Sequence, residues 1–128
     1  KENKMSKVCA VRGAVTCENT KESITEAVQE MCNLLFLKNH LNSSDLISIQ
    51  FTMTKDLDEY NAARALRDSQ TCIDCSETAL FVSQEAFIKG GMEKVIRVLI
   101  TCCTPDDFKP VNIYLRDAQK LRPDRKIS

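Results

Sequence analysis

The segment Val95-Ile96-Arg97-Val98-Leu99-Ile100-Thr101 is the strongest β-forming run in the chain, and it carries a guanidinium in its interior. Apolar and β-branched residues in an unbroken run of this kind form a strand. An arginine cannot shed its charge, so a strand that buries one needs an anion from the protein or from outside it. Arg12 repeats the situation within Val8 to Val15, a period-two strand that is otherwise apolar on both faces. Any fold for this chain has to accommodate both.

The other elements follow from local pattern. Thr20 is suited to cap a helix, Glu22 suits its first turn, and Ile24, Ala27, Val28, Met31 and Leu35 recur at helical spacing as far as about Lys38. Asn42 to Asp45 makes a turn. Ile47, Ile49, Phe51 and Met53 alternate with Ser48, Gln50 and Thr52, which predicts a strand with one wet face. A short helix is expected to start at Asp56 or Asp58 and to run through Tyr60, Ala63, Leu66 and Arg67. A polar loop (Gln70 to Glu77), a strand (Thr78 to Ser83), a Gly90-Gly91 turn and a last strand (Val111 to Leu115) complete the set. The order predicts an α+β single domain, one mixed β-sheet with two helices on one face. The opposite face keeps apolar residues in several strands, so a second copy of the chain is expected to cover it.

Length and charge bound the function. A chain of 128 residues holds one core, and 43% hydrophobic with 28% charged residues is an ordinary globular composition. Eighteen basic and eighteen acidic side chains cancel, which argues against a nucleic-acid partner. No apolar run is long enough for a membrane span, and Lys1 to Lys7 has no apolar core of a secretory signal. Residues 1–7 are expected to be a flexible extension, 8–124 the folded domain and 125–128 a short tail. Seven cysteines, an odd number scattered through apolar stretches, predict free thiols in a reducing compartment, hence a cytoplasmic protein. Cys72 and Cys75 form a CxxC, but no second pair exists and His40 is the only histidine, so a loop is favoured over a zinc or redox site.

A single strand arginine is most simply a structural ion pair. Two of them, neither with an acidic residue alternating opposite, point to a ligand anion. With Glu85 after the run Ala79-Leu80-Phe81-Val82, they suggest buried arginines and one glutamate binding a compact, doubly negative organic acid. Taken alone, Glu85 reads as a strand-end residue, Tyr114 as a core tyrosine and Arg67 as a surface cation.

In order, Val11-Arg12-Gly13-Ala14-Val15-Thr16, Thr54-Lys55-Asp56-Leu57-Asp58, Gln84-Glu85, Ile96-Arg97-Val98, Tyr114-Leu115 and Leu121-Arg122-Pro123-Asp124 resemble the AroH-class chorismate mutases. The resemblance runs from about Val8 to Asp124. It implies a homotrimer, a trimeric pseudo-α/β barrel with active sites between subunits, and the Claisen rearrangement of chorismate to prephenate on the route to phenylalanine and tyrosine. It implies no metal, no cofactor and no covalent intermediate.

By the same resemblance, Arg97 stabilises charge on the breaking ether bond. Arg12 and Tyr114 grip the enolpyruvyl carboxylate, and Glu85 accepts a hydrogen bond from the ring hydroxyl. Arg64 and Arg67 would face a neighbouring subunit's cleft, and Leu121 and Arg122 belong to a tail that orders over the site. The chain departs from the family at Asn61-Ala62-Ala63 in place of Phe-Pro-Ala, with Tyr60 the candidate replacement for the lost apolar wall. It departs again at Val82 in place of a cysteine, and in a longer loop from Ser69 to Thr78. Two other readings remain: a trimeric Rid-like enamine or imine deaminase, and a non-catalytic trimer that binds small acids or senses redox state.

Overall fold

The computed structural model describes residues 6–121. Five strands, β1 (Ser6–Thr16), β2 (Leu46–Met53), β3 (Ala79–Gln84), β4 (Val95–Pro105) and β5 (Ile113–Leu115), form one mixed sheet in the order β3-β2-β4-β1-β5. The central strand β4 pairs antiparallel with both neighbours, whereas β3 and β5 join the edges in parallel. Helices α1 (Lys21–Lys38) and α2 (Ala62–Asp68) pack against this sheet and against each other.

Helix α1 begins where its cap predicts. The Ser23 backbone N–H donates to Thr20 Oγ1 at 3.0 Å, satisfying one of the donors that a helix start leaves unpaired. Its end is a Schellman arrangement: Leu41 N–H donates to Phe36 O, and His40 N–H to Leu37 O. His40 therefore takes a left-handed conformation, φ 54°, which accounts for the lone histidine structurally. Beside it Asn39 is buried; its side-chain amide donates to Leu35 O and Val111 O and accepts from Val111 N–H. This clip fixes the approach to β5.

The α1 face made by Ile24, Ala27, Val28, Met31, Cys32, Leu35 and Phe36 is buried against the odd-numbered residues of β1 and their neighbours in β2, β4 and β5. Burying each such aliphatic or aromatic side chain contributes roughly 1.5–3 kcal/mol. Gly13 sets the closeness of this contact. A Cβ there would lie 3.0 Å from Leu35 Cδ1 and 3.2 Å from both Met31 Cγ and Ile113 O, so any side chain would have to push α1 or β5 back.

Two expectations about elements need correction. The short helix starts at Ala62, capped by Asn61, whose Oδ1 accepts from Arg64 N–H at 3.0 Å. Asp56 and Asp58 do not cap it because both carboxylates serve other loops. Asp56 accepts from Lys94 N–H and from Thr54 Oγ1, and Asp58 accepts from Asn19 Nδ2. The second correction is length: β4 continues to Pro105 because β1, which begins at Ser6, pairs with it to that point.

Candidate active site

The register assembles the site on the sheet face that α1 and α2 leave uncovered. Pairing aligns Ser83 of β3, Thr52 of β2, Arg97 of β4, Ala14 of β1 and Tyr114 of β5 in one row across the sheet. The next row runs Phe81, Gln50, Leu99, Arg12. Side chains alternate between faces along a strand, so these rows point to the same side, with Arg12 and Arg97 as diagonal neighbours. Above them lies a cleft of about 510 Å³, whose lining includes Arg12, Thr52, Phe81, Arg97, Tyr114 and Leu121. Its only charged lining side chains, among the described residues, are the two arginines. Such a cleft attracts an anion.

The arginines are not buried within the chain. Arg12 is exposed, and the side chain of Arg97 keeps 42% of its accessible surface. The uncovered face explains this: both project from an apolar strand, but outward. No acidic residue stands across the strands from either one; their cross-strand neighbours are Leu99 for Arg12, and Ala14 and Thr52 for Arg97. An acid reaches Arg97 from elsewhere. Glu85, one residue beyond β3, accepts from Arg97 Nε at 2.8 Å and from Thr52 Oγ1 at 2.9 Å, both on Oε1. The Glu85 backbone N–H donates to Met53 O at 2.8 Å, which fastens this residue to the end of β2.

The Glu85–Arg97 pair also borders a second cleft of about 540 Å³, lined by Lys55, Phe87, Met92 and Lys94 among others. There Lys55 Nζ sits 4.2 Å from the Phe87 ring centroid. Arg97 is thus common to both clefts, and Glu85 approaches it from the second.

Tyr114 is 6% exposed and packs with Ala14, Val95 and Ala118. Its cover is the 3-10 helix Arg116–Leu121, which is held down by Asp117 N–H donating to Thr16 Oγ1 and by Arg116 bridging Thr16 O and Glu30. This helix delivers Leu121 to the cleft rim. Arg122 lies outside the described residues, as do residues 1–5 and the tail 125–128.

Arg64 and Arg67 are on α2, both exposed, and they do not reach this cleft in the same chain. Arg64 pairs with Asp68 at 3.5 Å, whereas Arg67 borders a hollow made by the loop 69–76. Tyr60 stays with α2: its hydroxyl donates to Asp68, and Lys21 and Arg64 lie over its ring. In that loop Cys72 is exposed but Cys75 is buried, and desolvation pushes the Cys75 thiol up to about 11. The thiolate needed for metal ligation or thiol exchange is disfavoured there.

Thr52 is the residue that sequence reasoning passed over. Its place on the wet face of β2 was legible from the alternation, but its position beside Arg97 depends on register, which the alternation does not give.

A family model described as chorismate mutase type I matches residues 8–125. The chain is 35% identical over 121 residues to "Chorismate mutase AroH" of Thermus thermophilus, covering 91% of this chain and 95% of that one. It is 30% identical over 121 residues to the protein of the same name from Bacillus subtilis, covering 92% of each. Among solved structures, a chorismate mutase from Clostridium thermocellum superposes with a TM-score of 0.79 at 36% identity, covering 88% of this chain and 98% of that one.

Proposed function

Because this chain belongs to the type I chorismate mutase family, we propose that the cleft of Arg12, Arg97 and Tyr114 is its active site. The chain is an isomerase that converts chorismate to prephenate. What carries the assignment of the cleft is the register, which gathers Arg12, Arg97 and Tyr114 from three strands onto one concave surface.

The chemistry suits those groups. Chorismate bears two carboxylates, and the rearrangement breaks a carbon–oxygen bond as a carbon–carbon bond forms. The flexible enolpyruvyl arm must be held over the ring, which fixed donors on its carboxylate accomplish. We assign that grip to Arg12 and Tyr114, which share a sheet face with Arg97, with Ala14 between Tyr114 and Arg97 in the row. Negative charge then grows on the ether oxygen, and a preorganised cation lowers the energy of that state more than of the ground state. Arg97 fills this role: with Nε committed to Glu85, its two terminal nitrogens remain for the substrate. We assign the ring hydroxyl to the second carboxylate oxygen of Glu85, on the side of Arg97 that borders the second cleft; Glu85 transfers no proton, so the reaction asks for neither a general base nor a cofactor.

The sheet face that holds the cleft also exposes Val8 (65%) and Phe81 (60%). We assign this face to a homotrimer in which three sheets pack into a pseudo-barrel with helices outside. In that assembly Arg64 and Arg67 of α2 would close a neighbouring subunit's cleft, over which that subunit's own Leu121 and Arg122 would lie. Seven unpaired cysteines favour a reducing compartment such as the cytoplasm, and no helix among the described residues is long and apolar enough to cross a membrane.

The test uses purified protein and chorismate without added metal or cofactor. Loss of chorismate ultraviolet absorbance with prephenate formation, in a species of three times the chain mass, is the expected result. Turnover by a monomer would remove the interface site, and no turnover would remove the cleft assignment.

A further inference from the structure

We propose that Thr52 is a positioning residue for the rearrangement: its hydroxyl decides which Glu85 oxygen is left for substrate and steadies Arg97. The proposal rests on reading the Arg12–Arg97 cleft as the active site. Thr52 Oγ1 and Arg97 Nε both donate to Glu85 Oε1, at 2.9 and 2.8 Å. Two donors from two different strands therefore converge on one oxygen, and Oε2 takes no bond from the described residues.

A carboxylate held by one donor can turn about its last torsion and exchange its two oxygens, because that torsion is broad. A second donor, rigidly placed, removes this freedom. Thr52 supplies rigidity in two ways. It is β-branched in a strand, so its χ1 is restricted, and it stands directly across the β2–β4 ladder from Arg97. The Glu85 main chain is tied to the adjacent Met53, so the whole group pivots on the end of β2. Folding makes no demand for a hydroxyl here. Valine would satisfy the strand and fill the same space, so the oxygen's visible use is the bond to Glu85.

Turning Glu85 would also loosen Arg97, whose Nε shares the same carboxylate oxygen. Aim at the ether oxygen matters in the transition state more than in the ground state, so the loss should fall on kcat more than on KM.

The experiment compares Thr52→Val, Thr52→Ser and Glu85→Ala with the combined Thr52→Val/Glu85→Ala protein, by chorismate turnover and thermal melting. Thr52→Val is expected to lower kcat/KM about tenfold, mostly in kcat, with unchanged melting. Thr52→Ser, which keeps the hydroxyl but loses the branched carbon, should fall between the parent and Thr52→Val, and Thr52→Val should cost nothing further once Glu85 is alanine. Parent activity in Thr52→Val, equal losses in Thr52→Ser and Thr52→Val, or the full tenfold loss without Glu85 would each overturn the proposal. Wild-type protein inert towards chorismate would instead remove the active-site reading beneath it.

Discussion

The two faces of the sheet are built from alternate residues of the same strands, yet they obey different rules. On the helix-covered face Val11, Val15, Ile49, Phe51, Ile96 and Ile100 are at most 1% exposed and close around α1. On the other, Arg12, Gln50, Thr52, Phe81, Arg97 and Leu99 remain open and border a cleft. A period of two permits this division, because a strand can dedicate one alternation to the core and the other to chemistry without changing its backbone. The lesson is that an arginine inside an apolar strand need not be buried by its own chain. It marks the face whose partner is something else.

Substitutions can break this division from either side. Ile100→Ala, on the covered face, should lower stability by about 2–5 kcal/mol through lost burial and a cavity; urea unfolding would measure it, and activity per folded molecule should survive. Arg97→Ala, on the open face, should do the opposite, cutting kcat by about a hundredfold to a thousandfold with little change in melting. Normal turnover in that variant would strip Arg97 of its role.

Phe81→Glu addresses the proposed contact with other copies. It should leave secondary structure intact but weaken assembly by at least about a hundredfold, since a charge would replace an apolar ring at the contact; sedimentation at several concentrations reads this directly. The smallest effect is a gain. His40→Gly, at the end of α1, should stabilise by about 1 kcal/mol because glycine adopts the left-handed conformation without strain. Its rate with chorismate should not move.

Helix α1 was legible almost to the residue, because its cap Thr20 and its apolar stripe are local signals. Helix α2 was not: Asp56 and Asp58 look like caps until Lys94 and Asn19, distant in sequence, take their carboxylates. The same holds for the site. The arginines stand out in their strands, and the family resemblance named the reaction, but the partner of Arg97 arrives from the end of β3.

By itself the sequence determined the strands, their alternation, the charges planted in them and the family to which they belong. These depend on neighbours within a few residues, or on a motif order that survives without coordinates. Only the tertiary structure decided which strands lie side by side and in what register, and so which side chains share a row. It put Arg97 between Thr52 and Ala14, with Glu85 bonded to Arg97 and Thr52, and it turned both arginines outward. Pairing is a long-range choice, made by the burial of one face against α1, and a single-residue slip would have sent every one of these groups into the core.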